Sequence, residues 1–456
     1  MSHAATPGSP DIAAGRLDAA TLAKAFGDLH PPLNAHEASV EADRCYFCFD
    51  APCQIACPTS IDIPMFIREI AAGNVLGAAE TILNANIMGG TCARVCPTET
   101  LCEEACVREA AEGKPVKIGH LQRFAVDALM AKGEHPFTRK APTGKRVAIV
   151  GAGPAGLACA HALAREGHEA IVFEAREKAG GLNEYGVAAY KVANDFAARE
   201  VEFILALGGI SIVHGRALGE NLNFDDLRRD YDAVFLAIGL PSTNALGLED
   251  EDRLSNVREA VEAIAELRQA KDLTQLPVGR RVVVIGGGMT AVDIAVQTKR
   301  LGAESVTMVY RRGVEQMKAS GYERDLAQTN GVLVVPWARP IALEGLNGSL
   351  AGVTFVRTRE TDGRLVDTHE TFTLPVDVAF SAIGQKGAPE IFAGSEAPAL
   401  KDGRIVVDAE RRTSLPGVWA GGDCVAGGKD LTVAAVEDGK RAAQSINAAL
   451  TRAMRA

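Results

Sequence analysis

The sequence predicts an α/β protein in which a helical N-terminal domain precedes two doubly wound parallel-sheet domains, the second inserted in the first. Three observations predict this fold. Eight of the ten cysteines lie between residues 45 and 106. Two glycine-rich strand–turn–helix motifs begin at Arg146 and Arg281. Two apolar runs, 233–239 and 379–384, lie on either side of the second motif and are predicted to be strands.

Length, charge and the start of the chain exclude several classes of protein. A chain of 456 residues is too long for one core, so about two to four domains are expected. A net charge of −10 argues against nucleic acid as a partner. The N-terminus lacks the basic and apolar regions of a signal peptide. The uncharged run 147–163 contains three glycines and a proline, which fit a strand–turn–helix and not a membrane span. We therefore expect a cytoplasmic protein with no membrane partner.

The N-terminal domain is predicted to be mostly α-helical. Residues 1–32 are predicted to be irregular or weakly helical. Asp62 is a candidate N-cap, and a second helix is predicted over 75–83. Apolar residues at helical spacing predict a third helix over 118–131. A segment marked by Pro and Gly, 134–144, then reads as a linker to the first sheet domain.

The clustered cysteines predict iron–sulfur ligation. They form two groups, the first Cys45, Cys48, Cys53 and Cys57, and the second Cys92, Cys96, Cys102 and Cys106. Short spacings, with Pro directly after Cys57 and Cys96, resemble ferredoxin-type ligation. Structural zinc is the alternative, because four-cysteine zinc sites also use short spacings. Disulfides are disfavoured in a reducing compartment. The count of thiols alone predicts two sites of four cysteines each.

The remaining cysteines and the histidines carry no predicted chemistry. Cys159 and Cys424 belong to no Cys-x-x-Cys pair, so we expect them to be buried packing residues. The nine histidines form no set with ligand spacing.

The first glycine-rich motif predicts a Rossmann-like domain that binds a dinucleotide. Gly151 permits the tight turn, Gly153 lets the backbone approach a pyrophosphate, and Gly156 allows helix and strand to pack closely. The second strand ends in a carboxylate suited to ribose hydroxyls, and a Gly-Gly-Leu follows. The predicted binding residues of this motif are Gly151, Gly153, Pro154, Ala155, Gly156, Glu174, Gly181 and Leu182.

A motif near the C-terminus completes the predicted flavin site. The strand before Gly422 and Asp423 resembles the second FAD motif of flavoproteins with two dinucleotide domains, in which the aspartate holds the ribityl and pyrophosphate region. The helix predicted from Thr432 would direct its positive N-terminal end at the flavin ring.

The second glycine-rich motif predicts a nicotinamide dinucleotide site. Its binding residues are Gly286, Gly288, Thr290 and Ala291. The second strand ends in Arg311 and Arg312 where the first domain has Glu174, which favours NADPH because arginine can bind a 2′-phosphate. Arginines at a strand end can equally be solvated charges, so the choice between NADH and NADPH stays open.

From about residue 34 to 445 the chain resembles the electron-input half of dihydropyrimidine dehydrogenase, which is a separate subunit in bacteria, and more widely the small subunit of bacterial glutamate synthase. The resemblance is carried by Cys-Phe-Asp-Ala-Pro-Cys-Gln at 48–54, by Cys-Pro-Thr-Glu-Thr-Leu-Cys at 96–102, and by Ile-Gly-His-Leu-Gln-Arg-Phe-Ala at 118–125.

The resemblance implies interleaved ligands for two [4Fe–4S] clusters. One cluster would use Cys45, Cys48, Cys53 and Cys106, and the other Cys57, Cys96, Cys102 and Gln122, which leaves Cys92 over. It also implies that Val95 and Lys191 lie near FAD, that Lys318 lies beside Arg311 and Arg312 near the adenosine phosphate, and that Ala382 to Gly384 lie near the nicotinamide.

The resemblance implies an oxidoreductase subunit in which NAD(P)H reduces FAD and two clusters carry electrons to a partner. The partner would be a catalytic subunit with FMN and iron–sulfur clusters that reduces uracil or thymine, in a heterotetramer. No side chain of this chain is expected to act as an acid or base. The expected domains are an iron–sulfur domain, 1–140, a FAD-binding domain in two parts, 141–270 and 389–456, and an NAD(P)-binding domain, 271–388. The alternatives are a glutamate synthase small subunit and, from another class, a zinc-binding assembly scaffold without catalysis.

Overall fold

The computed structural model describes residues 16–455, which form two compact units. The main unit contains residues 30–184, 194–242 and 386–455. The inserted unit contains the described residues up to Leu29, together with 185–193 and 243–385. Part of the predicted N-terminal lead-in, residues 1–15, lies outside the described residues. The expected domain boundaries remain predictions.

The elements follow in chain order. The α-helices are α1 (Ala19–Ala25), α2 (Ala35–Ala42), α3 (Pro52–Ala56), α4 (Ile63–Ala71), α5 (Val75–Ala85), α6 (Gly89–Val95), α7 (Val107–Glu112), α8 (Ile118–Lys132), α9 (Pro154–Arg165), α10 (Leu182–Tyr185), α11 (Phe196–Leu205), α12 (Phe224–Asp230), α13 (Ala260–Gln269), α14 (Met289–Arg300), α15 (Gly321–Thr329) and α16 (Thr432–Arg455). The strands are β1 (Arg146–Val150), β2 (Glu169–Glu174), β3 (Ile210–His214), β4 (Ala233–Leu236), β5 (Ser242–Thr243), β6 (Val257–Glu259), β7 (Arg281–Ile285), β8 (Ser305–Val309), β9 (Val332–Val335), β10 (Ala338–Leu346), β11 (Ser349–Thr361), β12 (Arg364–Pro375), β13 (Val378–Ser381), β14 (Gln385–Lys386), β15 (Leu400–Lys401), β16 (Arg404–Ile405) and β17 (Val418–Ala420).

The main unit contains a parallel five-stranded sheet in the order β17-β4-β1-β2-β3. β1 lies at its centre and is fully apolar after its first residue, as expected for a strand covered on both faces. Strand β17 comes from the end of the chain and pairs with β4, where Trp419 lies opposite Phe235. The two distant parts of the predicted flavin domain therefore meet in one sheet.

The inserted unit repeats this arrangement with the strand order β6-β13-β7-β8-β9. The central strands β1 and β7 each lie between the next strand of their own domain and the later strand, β4 or β13, that returns beside them. Ligands bind at such switch points, outside the carboxyl ends of the strands. An antiparallel sheet, β10-β11-β12, also belongs to this unit, and the sequence analysis did not anticipate it.

One glycine in each sheet shows how closely the two domains correspond. Gly151 has φ +103° and Gly286 has φ +155°, both in the region that favours glycine. A methyl group on Gly151 would lie 2.3 Å from the carbonyl oxygen of Ala237, and one on Gly286 would lie 2.3 Å from that of Ala382. At both switch points only a residue without a side chain lets the turn approach the neighbouring strand.

In the main unit, the helices α4, α5 and α8 of the cysteine-containing region share a core with the flavin-type sheet. The predicted N-cap Asp62 accepts a hydrogen bond from the backbone nitrogen of Met65, and the predicted helices over 75–83 and 118–131 are α5 and α8. One continuous set of buried apolar side chains includes Ile67, Leu83, Leu121 and Val126 from these helices and Val147, Ile149, Leu157, Ala443 and Ile446 from the sheet and its covering helices.

Within residues 16–455, no helix combines the length and the apolar character that crossing a bilayer requires. The uncharged run 147–163 forms β1, a turn and most of α9, as its glycines predicted.

Candidate functional site

The first glycine-rich turn presents a helix N-terminus at the carboxyl end of β1. Gly153 is the N-cap of α9, and Pro154 occupies its first turn. The buried carboxylate of Glu174 accepts hydrogen bonds from the backbone nitrogens of Ala152 and Arg176, both at 2.8 Å. The end of β2 is therefore fixed against the turn. Backbone N–H groups at a helix N-terminus suit a pyrophosphate.

The loop around Gly181 closes over this turn. A methyl group on Gly181 would lie 2.7 Å from the Cα of Gly153, so the two backbones are in close approach. The hydroxyl of Thr432, the first residue of α16, donates to the Oδ1 of Asn183 at 2.8 Å. The Nδ2 of Asn183 is buried and has no hydrogen-bond partner among the described residues. A buried donor without a partner fits a polar atom of a bound flavin nucleotide.

Asn183 was missed by the sequence analysis. The sequence feature that could have indicated Asn183 is its position directly after Leu182, the last residue of the Gly-Gly-Leu that follows the first glycine-rich motif. Its pairing with Thr432 could not be predicted, because the two residues lie far apart in the chain.

Gly422 and Asp423 follow β17 at the same edge of the sheet. The backbone nitrogen of Gly422 donates to the Oδ2 of Asp438 at 2.9 Å, which fixes this turn on α16. Burial raises the pKa of Asp423 to about 7, the nearby Asp430 raises it further, and Arg404 opposes the shift. A carboxyl group that is partly protonated near neutral pH can donate a hydrogen bond to a ribityl hydroxyl or a phosphate oxygen.

The inserted unit brings the second fingerprint together with residues 382–384. Gly288 is the N-cap of α14, so Thr290 and Ala291 lie in the first turn of that helix. The backbone nitrogen of Ala382 donates to the carbonyl of Ile285 at 2.9 Å, directly before the turn. The carbonyl of Gly384 accepts from the backbone nitrogen of Asn244 at 3.0 Å. The predicted pyrophosphate and nicotinamide residues therefore lie side by side.

The predicted adenosine-phosphate residues form a basic edge beside this turn. Arg311 and Lys318 are exposed and Arg312 is half-buried. Among the described residues, the structure gives their three side chains no ion-pair or hydrogen-bond partner. The backbone nitrogen of Ala319 donates to the carbonyl of Gly287 at 3.0 Å, which holds Lys318 next to the fingerprint. Cations without partners suit a 2′-phosphate, in line with the preference for NADPH that the sequence favours.

Lys191, predicted to lie near FAD, is found in the inserted unit together with the nicotinamide fingerprint. Its buried ammonium group lies 2.7 Å from the Oδ1 of Asp293 and 2.6 Å from the Oε1 of Glu323. Burial alone lowers the pKa of Lys191, but the two carboxylates outweigh it and the net shift is upward. Its flavin role stays a prediction.

Four cysteines that the resemblance assigns to one cluster, Cys45, Cys48, Cys53 and Cys106, interact with one another as a first thiol set, and their role as ligands stays a prediction. All ten cysteines are free. The thiol of Cys45 interacts electrostatically with those of Cys48 and Cys106, and the thiol of Cys53 interacts with all three. Burial raises the pKa of Cys53 to about 12, and the neighbouring thiols add to the shift. Iron binding to such a set must release protons, since thiolates are the ligands.

The second thiol set contains one cysteine more than the resemblance implied. Cys96 interacts with Cys57, Cys92 and Cys102, and its pKa is raised first by a hydrogen bond with Cys92 and then by burial. Gln122 is buried, and its Nε2 donates to the carbonyl of Gly89 at 2.7 Å. That bond leaves the amide oxygen as the group able to act as a ligand. Both Cys92 and Gln122 therefore remain candidates for the fourth position.

No group of three His, Cys, Asp or Glu side chains in residues 16–455 is arranged to hold a single metal ion. The clustered thiols interact electrostatically within each set, and Cys102 of the second set also interacts with Cys53 of the first.

A buried carboxylate links the cysteine helices to the flavin-type domain in the main unit. Glu200 on α11 accepts from the backbone nitrogen of Thr91 at 2.9 Å and from its hydroxyl. Burial raises the pKa of Glu200 to about 7, against the effect of the two bonds from Thr91. Thr91 lies on α6, which ends at the predicted flavin neighbour Val95 directly before Cys96. No motif or spacing in the sequence indicated this role for Glu200.

Two family models match the chain. The family described as dihydropyrimidine dehydrogenase domain II, 4Fe–4S cluster, matches residues 22–134. The pyridine nucleotide-disulphide oxidoreductase family matches residues 145–439.

Relatives of similar length support the same assignment. The chain is 34% identical over 445 residues to the glutamate synthase [NADPH] small chain of Escherichia coli K12, which covers 92% of this chain and 93% of the relative. It is also 34% identical over 421 residues to the NAD-dependent dihydropyrimidine dehydrogenase subunit PreT of Salmonella typhimurium, covering 92% and 96%. The solved structure of Mycobacterium tuberculosis FprA in complex with NADPH shares the fold, with a TM-score of 0.57 and 20% identity over 68% of this chain and 86% of that chain.

The chain belongs to the pyridine nucleotide-disulphide oxidoreductase family. Within it, the chain belongs with the iron–sulfur electron-transfer subunits that include the glutamate synthase small chain and PreT, and it is an NAD(P)H-dependent flavin and iron–sulfur oxidoreductase. The predicted resemblance, fold class and cofactor classes (4Fe–4S, FAD and a nicotinamide dinucleotide) are confirmed. Individual ligands and binding residues remain predictions.

We expect FAD affinity to depend on the protonation of Asp423. Below pH 7 the carboxyl group is neutral, whereas above pH 7 it is ionised and repels the pyrophosphate, so affinity should fall as pH rises from 6 to 8. In Asp423→Asn this dependence should flatten, while Asp423→Ala should bind FAD about tenfold more weakly than wild type at pH 6, where the hydrogen bond is lost, and this difference should shrink at pH 8. Fluorescence titration of the apoprotein with FAD measures both. Equal slopes in wild type and Asp423→Asn would contradict the assignment.

We expect Gln122→Cys to change the second cluster and Cys92→Ser to leave it assembled. An amide oxygen is a weaker donor than a thiolate, so a cysteine at 122 should lower the reduction potential of that cluster. Iron and sulfide content, with EPR during redox titration, measure the outcome. Loss of one cluster in Cys92→Ser, with an unchanged spectrum in Gln122→Cys, would make Cys92 the ligand.

Proposed function

We propose that this chain is the NAD(P)H-oxidising subunit of a dihydropyrimidine dehydrogenase. Electrons taken from NAD(P)H would pass through FAD and two [4Fe–4S] clusters to a separate FMN-containing subunit, which reduces the 5,6 double bond of uracil or thymine. When bound, FAD accepts a hydride and the clusters carry single electrons. The residues of this chain bind and orient these groups: Gly151, Glu174, Asn183 and Asp423 for the flavin, and the two thiol sets for iron.

The single observation that carries this proposal is that both thiol sets belong to the same core as the flavin fingerprint. Cys57 of the second set is buried among the side chains that include Ile149 and Leu157, and Cys53 of the first set packs against them. Outside the clustered cysteines, Cys159 and Cys424 are buried and belong to no Cys-x-x-Cys pair that could take electrons from the flavin as a disulfide. The thiol sets are therefore the exit that the chain provides for electrons.

Exposed apolar side chains next in sequence to the cysteines of the first thiol set support transfer to a partner subunit. Each of its four cysteines is followed within two positions by one such residue, namely Tyr46, Phe49, Ile55 and Val107. Phe49 is fully exposed and Ile55 is 79% exposed. Large apolar side chains grouped at the surface are typical of protein interfaces. We name these four residues the exit ring and assign it to the electron-accepting subunit.

A glutamate synthase small subunit is the second candidate function. The relative named glutamate synthase small chain is as similar to this chain as the relative named PreT, at 34% identity. In both the dihydropyrimidine dehydrogenase and the glutamate synthase function, electrons pass from NAD(P)H through FAD to the thiol sets. The two functions differ in the partner that receives the electrons. A zinc scaffold has no such support, since the matching N-terminal family is described by a 4Fe–4S cluster.

We expect the chain, coexpressed with its native partner, to oxidise NADH or NADPH when uracil is added. Copurification of tagged chain identifies the partner, and absorbance at 340 nm with chromatography of dihydrouracil measures turnover. The isolated chain should reduce ferricyanide but not uracil, because it has no predicted pyrimidine site. A partner that hydrolyses glutamine, with no uracil turnover, would establish the glutamate synthase alternative.

We expect the double variant Phe49→Ser, Ile55→Ser to transfer electrons to the partner at least about fivefold more slowly at low partner concentration, because interface anchors are lost. Ferricyanide reduction by NAD(P)H should stay unchanged in the same protein. Leu333→Ser is the matched control, since Leu333 is 61% exposed and lies in the inserted unit, outside the exit ring. Unchanged partner-dependent rates in the double variant would remove the exit ring from the interface.

A further inference from the structure

One face of the nicotinamide helix α14 carries polar residues where a buried helix would be expected to be apolar. Asp293, Gln297 and Arg300 stand at i, i+4 and i+7, which places them on one face. Asp293 and Gln297 are almost completely buried. We call this face the polar stripe. Buried polar groups are costly unless they are hydrogen-bonded, so the stripe needs a partner in the same unit.

The partner is the segment Tyr185–Ala193, which belongs to the inserted unit and which we call the strap. The backbone nitrogen of Ala188 donates to the Oδ2 of Asp293 at 3.1 Å. The backbone nitrogen of Ala189 donates to the Oε1 of Gln297 at 2.9 Å. The stripe thus binds consecutive backbone groups of the strap.

Aromatic and backbone contacts complete this attachment. The guanidinium carbon of Arg300 lies 4.0 Å from the ring centroid of Tyr190, which is fully buried. The carbonyl of Tyr190 accepts from the backbone nitrogen of Leu29 at 2.8 Å. The strap is therefore held along all three residues of the stripe.

Lys191 ties the strap to two helices at once. Its ammonium group pairs with Asp293 on α14 and with Glu323 on α15, at 2.7 and 2.6 Å. All three side chains are at least nine-tenths buried. Removing one partner from such a group leaves an uncompensated buried charge, so its geometry is strongly fixed.

These two helices carry the two ends of the predicted nicotinamide dinucleotide site. The N-terminus of α14, capped by Gly288, faces the pyrophosphate position. Helix α15 begins three residues after Lys318, the predicted adenosine-phosphate residue. The distance between the two phosphate positions therefore depends on how α14 and α15 are held together.

We propose that Lys191 is a positioning residue for the nicotinamide dinucleotide, acting through Asp293 and Glu323 to fix α14 against α15. The proposal rests on the proposed function only in taking the inserted unit as the NAD(P)H-binding unit. It differs from the flavin role that the family resemblance implies for Lys191. Through the strap, this lysine sets affinity for NAD(P)H and leaves FAD binding unchanged.

The test is ferricyanide reduction by the full chain, which requires no partner subunit and so stands apart from the uracil assay. In Lys191→Met we expect the KM for NAD(P)H to rise about tenfold, with kcat within about twofold and FAD content unchanged. Lys191→Arg, which keeps the charge, should restore the KM to within about threefold of wild type. Lys140→Met is the matched control, because Lys140 is 65% exposed and pairs only at the surface, with Glu166.

Gln297→Leu keeps the proposal testable if Lys191→Met does not fold. It removes the bond to Ala189 without leaving a charge unpaired, and we expect a KM about threefold higher at full FAD content. Loss of FAD from Lys191→Met with an unchanged KM in the remaining holoprotein would overturn the proposal in favour of a flavin role. The proposal would also be overturned if Gln297→Leu had the wild-type KM for NAD(P)H and Lys191→Met either had the wild-type KM or did not fold.

Discussion

The position of both thiol sets depends on one apolar core that the cysteine helices share with the flavin-type sheet. Neutral thiols do not attract each other, burial raises the pKa of Cys53 and Cys102, and a hydrogen bond with Cys92 together with burial raises the pKa of Cys96. Packing must therefore bring them together before iron can bind. Phe66, Ile82 and Leu121 supply that packing from α4, α5 and α8, and side chains of the sheet continue it.

Polar links fix what the core brings together. The ammonium group of Lys440 on α16 donates to the carbonyls of Thr59 and Ala85, at 3.3 and 3.0 Å. Ala85 ends α5, so a cation meets the negative end of that helix. The carboxylate of Glu200 holds α6 in a similar way, because it accepts a hydrogen bond from the backbone nitrogen of Thr91. Apolar burial stabilises the main unit without fixing direction, whereas these bonds specify how α5 and α6 are oriented on the flavin-type domain.

Local patterns in the sequence predicted the strands and turns of both dinucleotide domains. β1 and β7 begin at Arg146 and Arg281, where the two motifs begin, and β2 ends at the carboxylate of Glu174, because a glycine turn between an apolar strand and a helix is a short-range signal. The antiparallel sheet β10-β12 and the place of α1 in the inserted unit were missed. So were the pairings of Asn183 with Thr432 and of the strap with Asp293. Those features join residues far apart in the chain. Composition and periodicity describe only neighbouring residues, so they could not predict such contacts. The interleaved assignment of cluster ligands was implied by the family resemblance alone. The number of cysteines predicts only two sites of four thiols each.

The path of the backbone has a consequence for limited proteolysis. The chain passes between the two units five times, at 29/30, 184/185, 193/194, 242/243 and 385/386. A protease that cuts the exposed turn at Asn347 and Gly348 would leave both fragments with segments in each unit, still joined by the paired strands β10 and β11. Denaturing electrophoresis would then show two fragments where gel filtration shows one particle, and no single cut would release the nicotinamide unit as a separate protein.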